Sequence, residues 1–268
     1  MTEEDKTCIQ HLRLTVPSDD KKRIENTKGD LLVDSCCWIF DNAEFRQWRD
    51  DEQSRLLWIK GDPGKGKTML LCGIVNDLQK SKTDMNLLAY FFCQATDWRV
   101  NSAVAVLRGL MYLLVTWQPS LVSYIRKKYD LAGKALFEDT NSWIALTEIF
   151  TDILQGRNLK STYLVIDALD ECVTDLPQLL KLIAKQSSIR SCVKWIVSSR
   201  NRPGIEKTLE QVGYKVRLCL ELNAESVSAA VSIFIEKKVS QLAQENRYDR
   251  QIQDTVKEHR MRTICSFG

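Results

Sequence analysis

The stretch Gly61-Asp62-Pro63-Gly64-Lys65-Gly66-Lys67-Thr68 fits a glycine, four free positions, then Gly-Lys-Thr, and nothing else in the chain restricts the fold as sharply. The apolar run Leu56-Leu57-Trp58-Ile59 precedes it, and Leu70, Leu71, Ile74, Val75 and Leu78 follow at helical spacing. Strand, loop and helix in that order form a phosphate cradle. Glycines at 61, 64 and 66 admit backbone conformations closed to residues with a Cβ, so successive amides can turn onto phosphate oxygens. The helix adds the positive end of its dipole. Lys67 is spaced to reach β- and γ-phosphates, and the hydroxyl of Thr68 to ligate Mg²⁺. Asp62 completes the loop, Pro63 stiffens the turn, and Lys65, at a free position, reads as solvated. The competing reading, a Gly/Lys-rich surface turn, does not explain the flanking strand and helix.

A second informative stretch is Tyr163-Leu164-Val165-Ile166-Asp167, four apolar residues delivering a carboxylate at a strand's end, where it would meet the Mg²⁺ held by Thr68. Ala168 leaves room near the phosphates, and Asp170 and Glu171 add two carboxylates able to polarise an attacking water. An acidic first turn placed for helix-dipole reasons is the alternative. Val193-Lys194-Trp195-Ile196-Val197, followed by Ser198-Ser199-Arg200, brings an arginine to the same edge, where it either senses a γ-phosphate or makes a surface ion pair.

Leu87-Leu88-Ala89-Tyr90-Phe91-Phe92 reads as another buried strand, and Lys215 to Leu220 alternates with period two, as an edge strand with one wet face does. Between the second and third strands lie helical patterns over Ala103 to Trp117, from Pro119 onward, and from Asn141, a candidate cap, to Gly156. Five strands separated by helices make a parallel α/β sheet of three-layer type.

At the ends, residues 1–30 read as a polar, solvated lead-in that includes Lys21-Lys22-Arg23. Residues 31–54 read as a helical flank, with Trp38 and Trp48 as core anchors, of an NTPase domain over 31–222. Asn223 is placed to cap a helix carrying Val227, Ala230, Val231, Phe234, Ile235 and Leu242, the start of a truncated helical domain over 223–247, and 248–268 reads as a polar tail.

Composition removes several function classes. The charge of +3 is small and interleaved, which argues against a dedicated nucleic-acid surface. Only His11 and His259 are present, so a histidine triad or zinc site is not expected. Nine cysteines without metal-type spacing read as reduced core thiols. No apolar leader or membrane-length run occurs, and the expected compartment is the cytoplasm.

With these motifs in hand the chain resembles the NACHT-type P-loop NTPase domain of fungal STAND proteins, the NOD-like receptor relatives of heterokaryon-incompatibility proteins. The resemblance runs from about Cys8 to Gln244 and rests also on Asp19 to Glu25, Gly61 to Gly73, Thr96-Asp97-Trp98-Arg99-Val100-Asn101 and Val106 to Leu110. It implies an ASCE sheet in the order 2-3-4-1-5, Asp167 on Mg²⁺, Asp170 and Glu171 near the hydrolytic water, and Arg200 as the sensor-1 arginine. It also implies a nucleotide-driven switch governing oligomerisation and effector signalling. The effector, winged-helix and repeat domains usual in such proteins are not in this sequence, which suggests a fragment, a truncated product or a stand-alone remnant.

The function expected is binding of ATP or GTP with slow Mg²⁺-dependent hydrolysis, with nucleotide and further copies of the chain or other NACHT-type chains as partners, and no nucleic acid or membrane. The rival readings are a non-catalytic module that holds nucleotide and, with less support, a P-loop kinase, since Asp170-Glu171 favours activating water.

Overall fold

The computed structural model describes residues 1–27, 36–80, 86–189, 192–213, 215–246 and 255. Five strands, β1 (Leu56–Lys60), β2 (Asn86–Phe92), β3 (Ser161–Asp167), β4 (Val193–Ser199) and β5 (Lys215–Cys219), form one sheet in the order β2-β3-β4-β1-β5. All neighbours run parallel, with Trp58 beside Val197 and Ile166 beside Val197's own register position on the other side of β4. This is the order the resemblance implied. Because β1 lies between β4 and β5, the loops leaving β1, β3 and β4 emerge side by side at one carboxyl edge.

The central strands are apolar throughout because helices cover both faces: Leu57, Trp58, Leu164, Val165, Trp195 and Ile196 are buried. On β5 the alternation holds, with Val216 and Leu218 buried and Arg217 exposed. The helix Lys67–Lys80 follows the glycine-rich loop, and Leu70, Leu71, Ile74 and Val75 seat it in the core. The insertion consists of helices Ala103–Trp117, Val122–Ala132, the short Ala135–Glu138 and Ser142–Gln155, the second entered through a 3₁₀ turn at Pro119–Leu121. Asn141 precedes the last of these without a side-chain capping bond. Among the described residues, no helix is long and apolar enough to cross a membrane.

Several expectations need correction. Where described, the lead-in is not solvated: it forms helices Glu3–Leu12 and Pro17–Thr27, and Cys8, Leu12 and Ile24 enter the core. Lys21 is buried too, donating to Glu25 and Asn76, both at 2.7 Å, so an apparent basic cluster ties this helix to the one after the glycine-rich loop. Arg108, in the middle of Ala103–Trp117, donates to the carbonyls of Leu12 (2.9 Å) and His11 (2.8 Å). A guanidinium thereby takes up the unpaired carbonyls at the end of the first helix. Trp48 is a core anchor, but Trp38 is only half-buried. Cys37 is exposed, and Cys192 and Cys219 are partly so; Cys8, Cys36, Cys72, Cys93 and Cys172 are the core thiols. Asn223 does precede helix Ala224–Asn246, its carbonyl accepting from the Val227 amide (3.0 Å), but its side chain accepts from Asn42 (3.0 Å) and donates to the Cys219 carbonyl (2.9 Å). Residues 28–35, His259, Cys265 and, Thr255 apart, the expected tail over 248–268 lie outside the described residues.

Packing between the sheet and its insertion is tight at Gly109, where an added Cβ would stand 2.4 Å from Cδ2 of Phe91. Gly109→Ala should therefore destabilise the fold, because overpacking of about 1–3 kcal/mol outweighs a helix-propensity gain of up to about 1 kcal/mol. A denaturant midpoint at or above that of the wild type would contradict this.

Candidate nucleotide site

Three chain segments meet at the carboxyl edge of the sheet. After β1, the loop takes left-handed backbone at Gly64 (φ 80°) and Gly66 (φ 79°), and nothing lies within 4 Å of where a Cβ would sit at either. Both positions demand glycine for conformation. Gly61 differs from expectation: it has no positive φ, and its constraint is packing, since a Cβ would stand 3.1 Å from Cβ of Leu220. The amide of Gly61 donates to the Ser199 carbonyl (3.3 Å), which pins the loop's start to β4. The helix begins at Lys67, so its first-turn amides point out of the helix toward the loop's concave side.

Lys67 Nζ donates to the carbonyls of Gly61 (2.5 Å) and Asp62 (2.9 Å), folding back over the loop. Burial lowers its pKa, opposed by the nearby carboxylates of Asp170 and Asp167. Thr68 follows at the cleft wall. Lys65, expected to be solvated, is half-buried and lines the site.

From β3, Asp167 arrives nearly fully buried, and its Oδ1 accepts from the hydroxyl of Ser198 (2.5 Å). Ala168 then turns left-handed (φ 54°, ψ 52°) into a single 3₁₀ turn over Leu169–Glu171. From β4, Arg200 donates its backbone N–H to Asp170 Oδ1 (2.9 Å), and its Nε stands 3.1 Å from Asp170 Oδ2. Its Nη2 also reaches Glu171 Oε1 (3.4 Å), while the amide of Ala95 donates to Glu171 Oε2 (3.2 Å). The Asp170 side chain is 1% exposed, Glu171 31% and Arg200 44%, so Glu171 is the carboxylate with access to solvent.

Pro63 to Met69, Asp167, Ala168, Asp170, Glu171 and Arg200 together line a cleft of about 350 Å³. Every sequence-predicted residue from Pro63 onward is brought to it. Asp62 is exposed beside it, its amide donating to Glu221 Oε1 (2.6 Å) and its carboxylate accepting from Asn201 (3.0 Å). The residues present fit a Mg²⁺–triphosphate. An open glycine cradle, two lysines, one arginine, a hydroxyl and a single strand-end carboxylate suit a metal that keeps waters and phosphate oxygens among its ligands. Among the described residues, no cluster of three or more histidine, cysteine or acidic residues able to hold a metal occurs.

A second, more apolar cavity of about 280 Å³ lies on the other side of the same loop, sharing Gly64, Lys65, Gly66 and Met69. Its remaining walls are Cys36, Trp38, Leu70, Val227, Ala230, Val231 and Phe234. The stripe Val227, Val231, Phe234 was visible as helical periodicity, but its destination was not. Trp38, read as a core anchor, is half-buried, packs against the core and also walls this cavity. No sequence signal marks Glu221 as the acceptor for the loop's amide.

A profile of the family described as Nephrocystin 3, N-terminal, matches residues 34–200. The chain is 58% identical over 256 residues to the vegetative incompatibility protein HET-E-1 of Podospora anserina, covering 96% of this chain. It spans 19%, about a fifth, of that relative's length. Among solved structures, the Orc1 protein of Aeropyrum pernix in complex with DNA aligns at TM-score 0.43 and 12% identity over 92% of this chain and 66% of its own. PCH-2 of C. elegans aligns at TM-score 0.39 and 12% identity over 93% of this chain and 53% of its own.

Proposed function

The chain belongs to the Nephrocystin 3, N-terminal, family of NACHT-like P-loop NTPases, and from that premise we propose that it binds ATP or GTP with Mg²⁺ and hydrolyses it slowly. In this reading it is the switch module of a fungal NOD-like signalling protein acting in the cytoplasm. The observation that carries the reading is the convergence of the Gly64–Gly66 cradle, Lys67, Asp167 and Arg200 on one cleft. The glycine cradle would hold the phosphates, Lys67, now on the Gly61 and Asp62 carbonyls, would reach the β- and γ-oxygens, and Thr68 and Asp167 would hold the metal. Bound Mg²⁺ would neutralise charge on the transferring phosphate. The apolar cavity next to Gly64 and Met69 takes the base, with Trp38 and Phe234 as its aromatic walls. Residues 31–222 constitute the NTPase unit together with helices Glu3–Leu12 and Pro17–Thr27, which share its core, and the helix Ala224–Asn246 begins a helical domain that walls the base side.

One observation favours a second reading. Arg200 is paired with Asp170 and Glu171 together, an arrangement that occupies the carboxylates otherwise available to water and suits a module that holds nucleotide without turning it over. Identifying the nucleotide that co-purifies with the chain, then measuring its off-rate and phosphate release on one sample, separates the two. Retained diphosphate with measurable release supports the switch; tight triphosphate without release supports holding. Absence of Mg²⁺-dependent binding to either ATP or GTP would overturn both.

Self-association follows from the same reading. Leu222, Trp98 and Leu242 are 84%, 74% and 46% exposed, while Ile235 and Val239 on helix Ala224–Asn246 are buried, so the exposed apolar surface lies at these separate side chains. The isolated chain should form oligomers in light scattering and release nucleotide faster than a chain extended by a helical domain, which would add contacts that must break. A stable monomer that retains nucleotide through gel filtration would contradict this.

A further inference from the structure

Ser198 is completely buried near the end of β4, paired with Ile59 of β1 and one residue past the last position at which β4 pairs with β3, Ile166 beside Val197. Continuing the parallel register by one residue sets Ser198 beside Asp167 on the same side of the sheet. Its hydroxyl is committed in two directions at once. It donates to Asp167 Oδ1 at 2.5 Å and accepts from the backbone N–H of Ala168 at 2.9 Å. Ala168 is in the left-handed region, so the chain leaves β3 through a conformation that a residue with a Cβ rarely adopts and that a buried hydrogen bond is well placed to hold.

We infer that Ser198 is a positioning residue for the metal-side carboxylate: one hydroxyl sets both the rotamer of Asp167 and the backbone turn that ends β3. The inference rests on the nucleotide-binding reading above. With Oδ1 held by the hydroxyl, the orientation of the carboxylate in the cleft it shares with Thr68 is set by the protein itself. Without it, the carboxylate of Asp167 loses this hold on its Oδ1 and the amide of Ala168 loses its acceptor in a partly buried place. Ser199, the adjacent residue, does different work: its hydroxyl accepts from Trp58 Nε1 (3.0 Å) and its carbonyl from Gly61, both toward β1.

The test uses the full chain and whichever of ATP or GTP it binds, titrated calorimetrically in Mg²⁺ and in EDTA, with Mn²⁺ binding to the nucleotide complex followed by electron paramagnetic resonance. Ser198→Ala should weaken the metal-dependent part of affinity by about ten- to hundredfold, the usual effect of removing a group that orients a metal ligand. Affinity in EDTA should stay within about twofold, and Ser198→Thr, which keeps the hydroxyl, should recover most of the loss. If Ser198→Ala does not fold, Ser198→Cys, a weak donor, should give the same selective loss. Unchanged Mn²⁺ affinity, or equal losses with and without metal, would overturn the inference. A wild-type chain with no Mg²⁺-dependent nucleotide affinity would instead overturn the reading beneath it, and the two failures are distinct.

Discussion

Replacing Lys67 with alanine should abolish measurable hydrolysis and weaken triphosphate binding. In the structure its ammonium caps the Gly61 and Asp62 carbonyls at 2.5 and 2.9 Å, poised at the mouth of the cradle. Binding of a triphosphate exchanges those neutral acceptors for anionic oxygens, and the charge-assisted bonds so formed are roughly twice as strong as neutral ones. Loss of that contact should lower affinity by about ten- to hundredfold, and loss of the charge that meets the developing negative oxygen should lower turnover by about two to three orders of magnitude. The glycine cradle survives the substitution, since Gly64 and Gly66 owe their conformation to the backbone. Residual binding in the variant is therefore expected, and titration calorimetry beside a phosphate-release assay reads both effects. Equal triphosphate affinity in Lys67→Ala and wild type would sink the assignment of the loop.

The second large effect separates binding from chemistry. Glu171→Gln should keep Mg²⁺–nucleotide affinity while reducing turnover by at least about ten- to hundredfold, the range for removing a general base. Asp167→Asn should weaken the metal-dependent part of binding instead. The geometry sharpens the contrast between the neighbouring acids. Asp170 is buried and holds the backbone and Nε of Arg200, whereas Glu171 is partly exposed and touches the arginine at 3.4 Å. Asp170→Asn should therefore act by shifting Arg200, lowering stability along with turnover, because a buried charge partner of the arginine is lost. A thermal melt run with the kinetics distinguishes this from a direct role in chemistry. Undiminished turnover in both Glu171→Gln and Asp170→Asn would remove the pair from the mechanism.

Much of this was legible in the chain as written. The glycine-rich loop, the apolar strand ending at Asp167 and the strand carrying Arg200 are local patterns, each complete within a dozen residues, and local conformation follows from local sequence. The strand order agrees with what the resemblance implied, and the helix limits Ala103–Trp117 follow its apolar run from end to end. Polarity misled at the N-terminus. Lys21 and Arg108 read as solvent-facing or as interruptions, yet both are buried, because a cation can enter a core when carboxylate, amide or carbonyl acceptors surround it. Such partners lie far away in sequence: Asn76 for Lys21, Leu12 for Arg108.

The sequence by itself determined that a glycine-rich turn, left-handed at Gly64 and Gly66, runs from β1 into the helix opened by Lys67 and Thr68, because such a turn is a matter of a few adjacent peptides. Only the tertiary structure decided how those residues are held. Glu221 meets the amide of Asp62 across 159 positions and Ser198 meets Asp167 across 31, while Trp38 and Phe234 face one cavity from opposite ends of the chain. The parallel sheet creates those meetings. It lays strands distant in sequence side by side with their carboxyl ends aligned, so a hydrogen-bond partner is chosen by register and strand order, which no short window of sequence contains.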